Sequence, residues 1–152
     1  MTKSLYTAQA HVTGGREHGH GVTSDGQLDV QLRTPVEMGG EGGGTNPEQL
    51  FAVGYAACFQ SALLGVARGH SLDASESQIT SRVGIGPTGH GGFGLVVSLD
   101  LHAPNLTAVQ AADLMTRAHE RCPYSVATRG NIEVTLTVDG LPLEQAAETA
   151  AS

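Results

Sequence analysis

Three features of the sequence predict an α+β fold in which antiparallel sheets pack on a long buried central helix. One is the stretch from Thr45 to His70, TNPEQLFAVGYAACFQSALLGVARGH, which is apolar or small at almost every position between Leu50 and Ala67. Another is the alternation of apolar and polar residues in several short segments on either side of it, the period of a half-buried strand. The third is the order of elements: three strands, a helix, two strands, a helix and a strand. That order lacks the regular strand and helix alternation of a doubly wound sheet.

Residues 4 to 13 alternate, with Tyr6, Ala8, Ala10 and Val12 on one face and Thr7, Gln9 and His11 on the other, which predicts a half-buried strand ended by Gly14 and Gly15. Arg16 follows at once, and two short strands then flank the Asp25-Gly26 turn. Residues 35 to 45, PVEMGGEGGGT, have many glycines and few anchors and read as a flexible loop. This loop lacks the Gly-Lys-Ser/Thr ending of a phosphate cradle.

For the central helix, Asn46 supplies a cap, Pro47 suits the first turn, and Gln49 stands where a side chain folds back on the cap. Glu48 adds negative charge at the positive end of the helix dipole. With no wide polar face, the helix is predicted to be buried nearly all round. Gly54, Cys58, Ala62 and Gly65 share one face, and small residues at that spacing admit a close neighbour, a second copy of the same helix being one candidate.

Beyond it, Ile79 to Ile85 and Leu95 to Leu101 alternate on either side of the turn PTGHGG, a second hairpin. Thr107 and Gln110 form a capping-box pattern that opens a helix to about Arg121. Cys122 precedes Pro123, which disfavours helical geometry at the residue before it, so this thiol is expected where the helix breaks. Ile132 to Asp139 alternate as a last strand, and the tail from residue 141 to 152 is expected to add a helical turn or fray.

The 152 residues are enough for one domain or two interlocked halves, 1–152 being read as a single unit of function, and the low aromatic content of 4% favours a partner copy to complete the core. A net charge of -7 with eight scattered basic residues argues against nucleic acid or anionic membrane as partners. The first residues contain no apolar run of signal-peptide length, and Gly54, Gln60, Ser61 and Gly65 interrupt the central helix as a membrane span, so a cytoplasmic location is expected. There, two cysteines are redox-active or inert thiols rather than a permanent staple.

The two thiols are the most informative pair. An ordinary thiol is only about 3% ionised at pH 7, and apolar burial lowers that fraction, so a reactive Cys58 needs a cation nearby. Arg16 is the candidate, since its loop follows a Gly-Gly pair and can fold over a pocket, and Glu48 is suited by type to hold the guanidinium. Ten residues separate Glu48 from Cys58 on one helix, roughly 15 Å. A bridging arginine, a kink at Gly54 and a contribution from a partner chain all remain open. Against this stand plainer readings: a cysteine in an alanine-rich helix is most often inert core, Arg16 a solvated charge and Glu48 a first-turn acid. His18, His20 and His90 are not taken as metal ligands, because two histidines in a glycine loop are common without metal.

At NPEQLFAVGYAACF (46 to 59) and CPYSVATRGN (122 to 131), with Gly-Gly-Arg at 14 to 16, the chain closely resembles the organic hydroperoxide resistance proteins, a branch of the osmotically inducible protein C superfamily. The resemblance covers about residues 5 to 140. It implies an intertwined α+β homodimer with active sites at the subunit interface, with Cys58 as the peroxidatic and Cys122 as the resolving cysteine. Arg16 and Glu48 would be the activating pair. It further implies a lipoylated protein or other dithiol as reductant, an organic hydroperoxide as substrate, and no metal, haem or flavin. Val126, where the family commonly has asparagine, and the histidine-rich loop after Arg16 are departures. The apolar neighbours Phe51, Phe59 and Phe93 would favour alkyl or fatty-acid hydroperoxides. Two other functions remain in view, a carrier of hydrophobic ligands and a redox sensor that relays its disulfide to a partner protein.

Overall fold

The computed structural model describes residues 2–149. The chain forms two compact units, one up to Leu50 and the other from Phe51 onward, with the boundary inside the central helix.

The first unit is a three-stranded antiparallel sheet of β1 (Ala10–Thr13), β2 (His18–Thr23) and β3 (Asp29–Arg33) in sequential order. The expected strand over residues 4 to 13 is confined to its last four residues, and all four are exposed. The reason lies in the register: Ala10 pairs with Thr23, the last residue of β2, so the chain before it has no strand to lie against. Leu5 and Tyr6 are accordingly left in solvent. Residues 35 to 45, expected as a glycine-rich loop, contain several backbone contacts. A single 3-10 turn spans Val36–Met38, Gly40 N–H donates to Pro35 O, and Thr45 bridges to Leu32 beside β3. Gly40 is required by close approach, because a Cβ there would lie 2.1 Å from the Thr34 carbonyl oxygen.

Helix α1 (Pro47–Gly69) begins as predicted, with the Asn46 side-chain oxygen accepting from Gln49 N–H at 2.8 Å. Gln49 folds back one residue further than expected, its amide oxygen accepting from the Thr45 hydroxyl at 2.7 Å. By length and mean hydropathy (1.7) α1 could cross a membrane, which its glycines and polar residues had argued against. Its burial is one-sided rather than complete: Tyr55, Phe59, Leu63, Val66 and Ala67 are buried, whereas Val53, Ala57 and Ser61 are exposed. The buried positions fall four, four and three apart, one stripe of a helix against a core.

In the second unit that stripe packs with Val97, Leu99 and Leu101 of β5 (Phe93–His102) and with Ala111, Leu114, Met115 and Ala118 of α2 (Ala108–Arg121). β5 pairs antiparallel with β4 (Gln78–Pro87), completing the predicted hairpin. Its other neighbour, β6 (Glu133–Val138), runs parallel, a departure from the expected antiparallel pairing. The helical connection from His102 to Glu133 permits this, being long enough to cross over and return in the same direction. Thr107 and Gln110 make both bonds of the capping box. The tail adds the expected helical turn where described: Leu141 and Pro142 form β7 against β6, and α4 (Leu143–Thr149) buries Ala146. The tail's last three residues lie outside the described part.

Candidate functional site

In the first unit, Arg16 sits in the tight connection between β1 and β2. Gly14 has φ +78°, and a Cβ on it would strike the His18 carbonyl oxygen at 2.4 Å, so the turn that presents Arg16 depends on glycine. Glu48, in the first turn of α1, receives the guanidinium in a two-pronged pair, Nη2 to Oε1 at 2.9 Å and Nη1 to Oε2 at 3.2 Å. Hydrogen bonding from Arg16 holds the Glu48 carboxyl below the usual carboxylate range, against the opposing effect of burial. The predicted pairing of these two residues is thus present.

In the second unit, Cys58 lies half-buried on α1, and Cys122 is fully buried between α2 and a short helix not foreseen from the sequence, α3 (Pro123–Thr128). Cys122 has extended geometry, ψ 123°, as the following proline demands. The two sulfurs are 3.5 Å apart, the Cys122 thiol donating to Cys58 Sγ. Both thiols are free. Burial pushes the Cys58 thiol above its ordinary value, against the opposing effect of the Tyr124 backbone N–H. α1 is helical throughout, Gly54 included.

The small-residue face of α1 has a neighbour from its own chain. A Cβ on Gly54 would lie 3.0 Å from the Tyr124 hydroxyl oxygen, so any larger residue there would make that ring give by a few tenths of an ångström. Tyr124 was not singled out in advance, although its place directly after Cys-Pro, where a new helix must start, was the available signal. Its ring packs on Phe51 and Tyr55 at 6.0 and 5.6 Å between centroids. Phe51, Tyr124, Leu95, Ala127 and Ile132 line a cavity of about 450 Å³. Phe51 lines this cavity, Phe59 is wholly in the core against which Cys58 packs, and Phe93 is exposed at the start of β5. Val126 is exposed. Among the described residues no group of three or more histidine, cysteine or acidic side chains could hold a metal ion.

Residues 40–137 match the family model for OsmC-like protein. The chain belongs to that family, among its organic hydroperoxide resistance proteins. It is 55% identical over 138 residues to the organic hydroperoxide resistance protein of Xanthomonas axonopodis pv. citri, covering 90% of this chain and 96% of that one. A crystal structure of an organic hydroperoxide resistance protein from Legionella pneumophila is 49% identical, with TM-score 0.85 over 90% of this chain and 98% of that chain. The OhrB protein of Bacillus subtilis is 42% identical with TM-score 0.80, over 90% of this chain and all of that chain. Membership of this OsmC-like family accounts for the mixed α+β architecture around a central helix.

Proposed function

We propose that the protein is a cysteine-based peroxidase that reduces organic hydroperoxides to alcohols and so confers resistance to them. The observation that carries this reading is the pair of free sulfurs 3.5 Å apart, one of them on the central helix and half-accessible. Cys58 thiolate attacks one peroxide oxygen, the O–O bond breaks, and the departing alkoxide takes a proton to leave as alcohol. The sulfenic acid left on Cys58 is then attacked by the Cys122 thiol: an S–S bond forms, the S–O bond breaks, and water leaves with the thiol's proton. A dithiol, of the dihydrolipoyl kind carried on a lipoylated protein, returns both cysteines to thiols by exchange and is itself oxidised to a disulfide.

Because burial disfavours ionised Cys58, the scheme needs a positive group. That role is assigned to Arg16, fixed by Glu48, which also stabilises charge on the breaking O–O bond. The apolar cavity at Phe51 and Tyr124 suits the organic part of the substrate. No metal, haem or flavin enters the scheme. The exposed Leu5, Tyr6, Val12 and Val53 support a homodimer, and a dithiol-recycled pair suits the reducing cytoplasm.

The test is steady-state turnover of reduced protein with dihydrolipoamide. Cumene hydroperoxide should be favoured over hydrogen peroxide by about tenfold or more in kcat/KM, the scale that an apolar pocket contributes. Binding of the organic peroxide without consumption would replace this reading with the hydrophobic carrier. A slow single oxidation without turnover would replace it with the redox sensor.

A further inference from the structure

Three aromatic rings stand one turn apart on α1, Phe51, Tyr55 and Phe59, and only the middle one carries a hydroxyl. That hydroxyl is fully buried and bonded on both sides, 2.8 Å from Ser125 Oγ and 3.1 Å from Thr128 Oγ1, both on α3. Ser125 Oγ in turn lies 2.8 Å from His119 Nδ1 on α2. Burial, helped by the nearby Arg129 charge, lowers the His119 pKa, which favours a neutral ring whose Nδ1 accepts from Ser125. The bonds then run in one direction, Tyr55 to Ser125 to His119. Arg129 adds a tie from the end of α3 to the His119 carbonyl.

These positions stand in a fixed relation to the thiols: Tyr55 is three residues before Cys58, His119 three before Cys122, and Ser125 three after it. A core that only needed stability would be served as well by phenylalanine at 55. A buried network with every member satisfied fixes a specific geometry instead.

We propose that Tyr55, Ser125 and His119 form a hydrogen-bonded clamp that positions Cys122 against Cys58, favouring disulfide closure over further oxidation of Cys58. They are positioning residues, and the inference rests on the two-thiol reading above. Closure from 3.5 Å to a disulfide length of about 2.05 Å needs the sulfurs to approach by only about 1.5 Å. A sulfenic acid whose partner drifts away meets a second peroxide and becomes sulfinic acid.

Two variants test this: Tyr55→Phe, whose ring keeps its place between Phe51 and Phe59, and Ser125→Ala. Each is equilibrated with reduced and oxidised glutathione, without peroxide, to measure the effective concentration of one thiol for the other. Loss of one such bond should lower it about fivefold. With cumene hydroperoxide, the sulfinic fraction per turnover should rise by a similar factor while the rate of the first oxidation stays within about twofold. Wild-type equilibria in both variants, even with lowered urea stability, would reduce the network to packing and overturn the clamp. So would a parallel fall in both oxidation steps. Because the glutathione equilibrium needs no peroxidase activity, failure of the clamp and failure of the peroxidase reading give different results.

Discussion

Up to Leu50 the chain holds its key side chain by charge, and beyond Phe51 it holds its key side chains by exclusion of water. In the first unit Leu32 is the one large apolar side chain that is buried among the described residues, and the sheet leaves Leu5, Val12 and Leu28 exposed. Arg16 is kept in place there by the paired oxygens of Glu48 and by a glycine turn. In the second unit a continuous core of aliphatic and aromatic side chains surrounds Cys122 and backs Cys58. The difference separates two tasks. A guanidinium stays charged anywhere a carboxylate and some water are present, so it needs orientation more than burial. A thiol pair that must meet each other before either meets a second oxidant needs a rigid, dry surrounding.

The largest expected effects are chemical and confined to the second unit. Cys58→Ser should abolish peroxide reduction with the fold intact by circular dichroism. Cys122→Ser should permit one oxidation and then stall or accumulate sulfinic acid, as read by intact mass. Full activity in either variant would break the division of tasks.

Next in size is stability. Leu63→Ala, in the core, should cost about 2–5 kcal/mol in urea unfolding. Leu28→Ala, in the first unit, should cost less than about 0.5 kcal/mol. Equal losses would mean that the sparse unit is held by burial after all.

Arg16→Ala should leave stability near wild type and raise the apparent Cys58 pKa in iodoacetamide alkylation by about one to two units. An unchanged alkylation profile would remove the arginine from the mechanism. The smallest effect is on acid stability. Arg16 depresses the Glu48 pKa below its ordinary value of 4.5, so the pair's contribution is present above that pH and lost as pH falls through the depressed value. Glu48→Gln should flatten this part of the acid profile, by a small loss of stability in the neutral range and none at the acid end.

What was legible in the sequence follows the reach of the interactions. The Asn46 cap, the Thr107 box and the break at Cys122-Pro123 are decided by neighbours within a few residues, and each was readable. The early end of β1 was not, because it depends on where β2 stops rather than on the alternation of residues 4 to 13. The parallel placement of β6 beside β5 likewise depends on the route of a crossover, which periodicity does not encode. At the site, residue type and placement singled out Cys58, Cys122, Arg16 and Glu48, and motif resemblance implied a role for each. The structure adds what composition could not, that the ring of Tyr124 lies against Gly54 within the same chain.

The most direct measurement is peptide mass spectrometry of the reduced protein after one equivalent of cumene hydroperoxide. The account predicts a single product joining the Cys58 and Cys122 peptides through a disulfide within one chain, with the peroxide consumed. Two thiols that both remain open to alkylation, with the peroxide unspent, would contradict it.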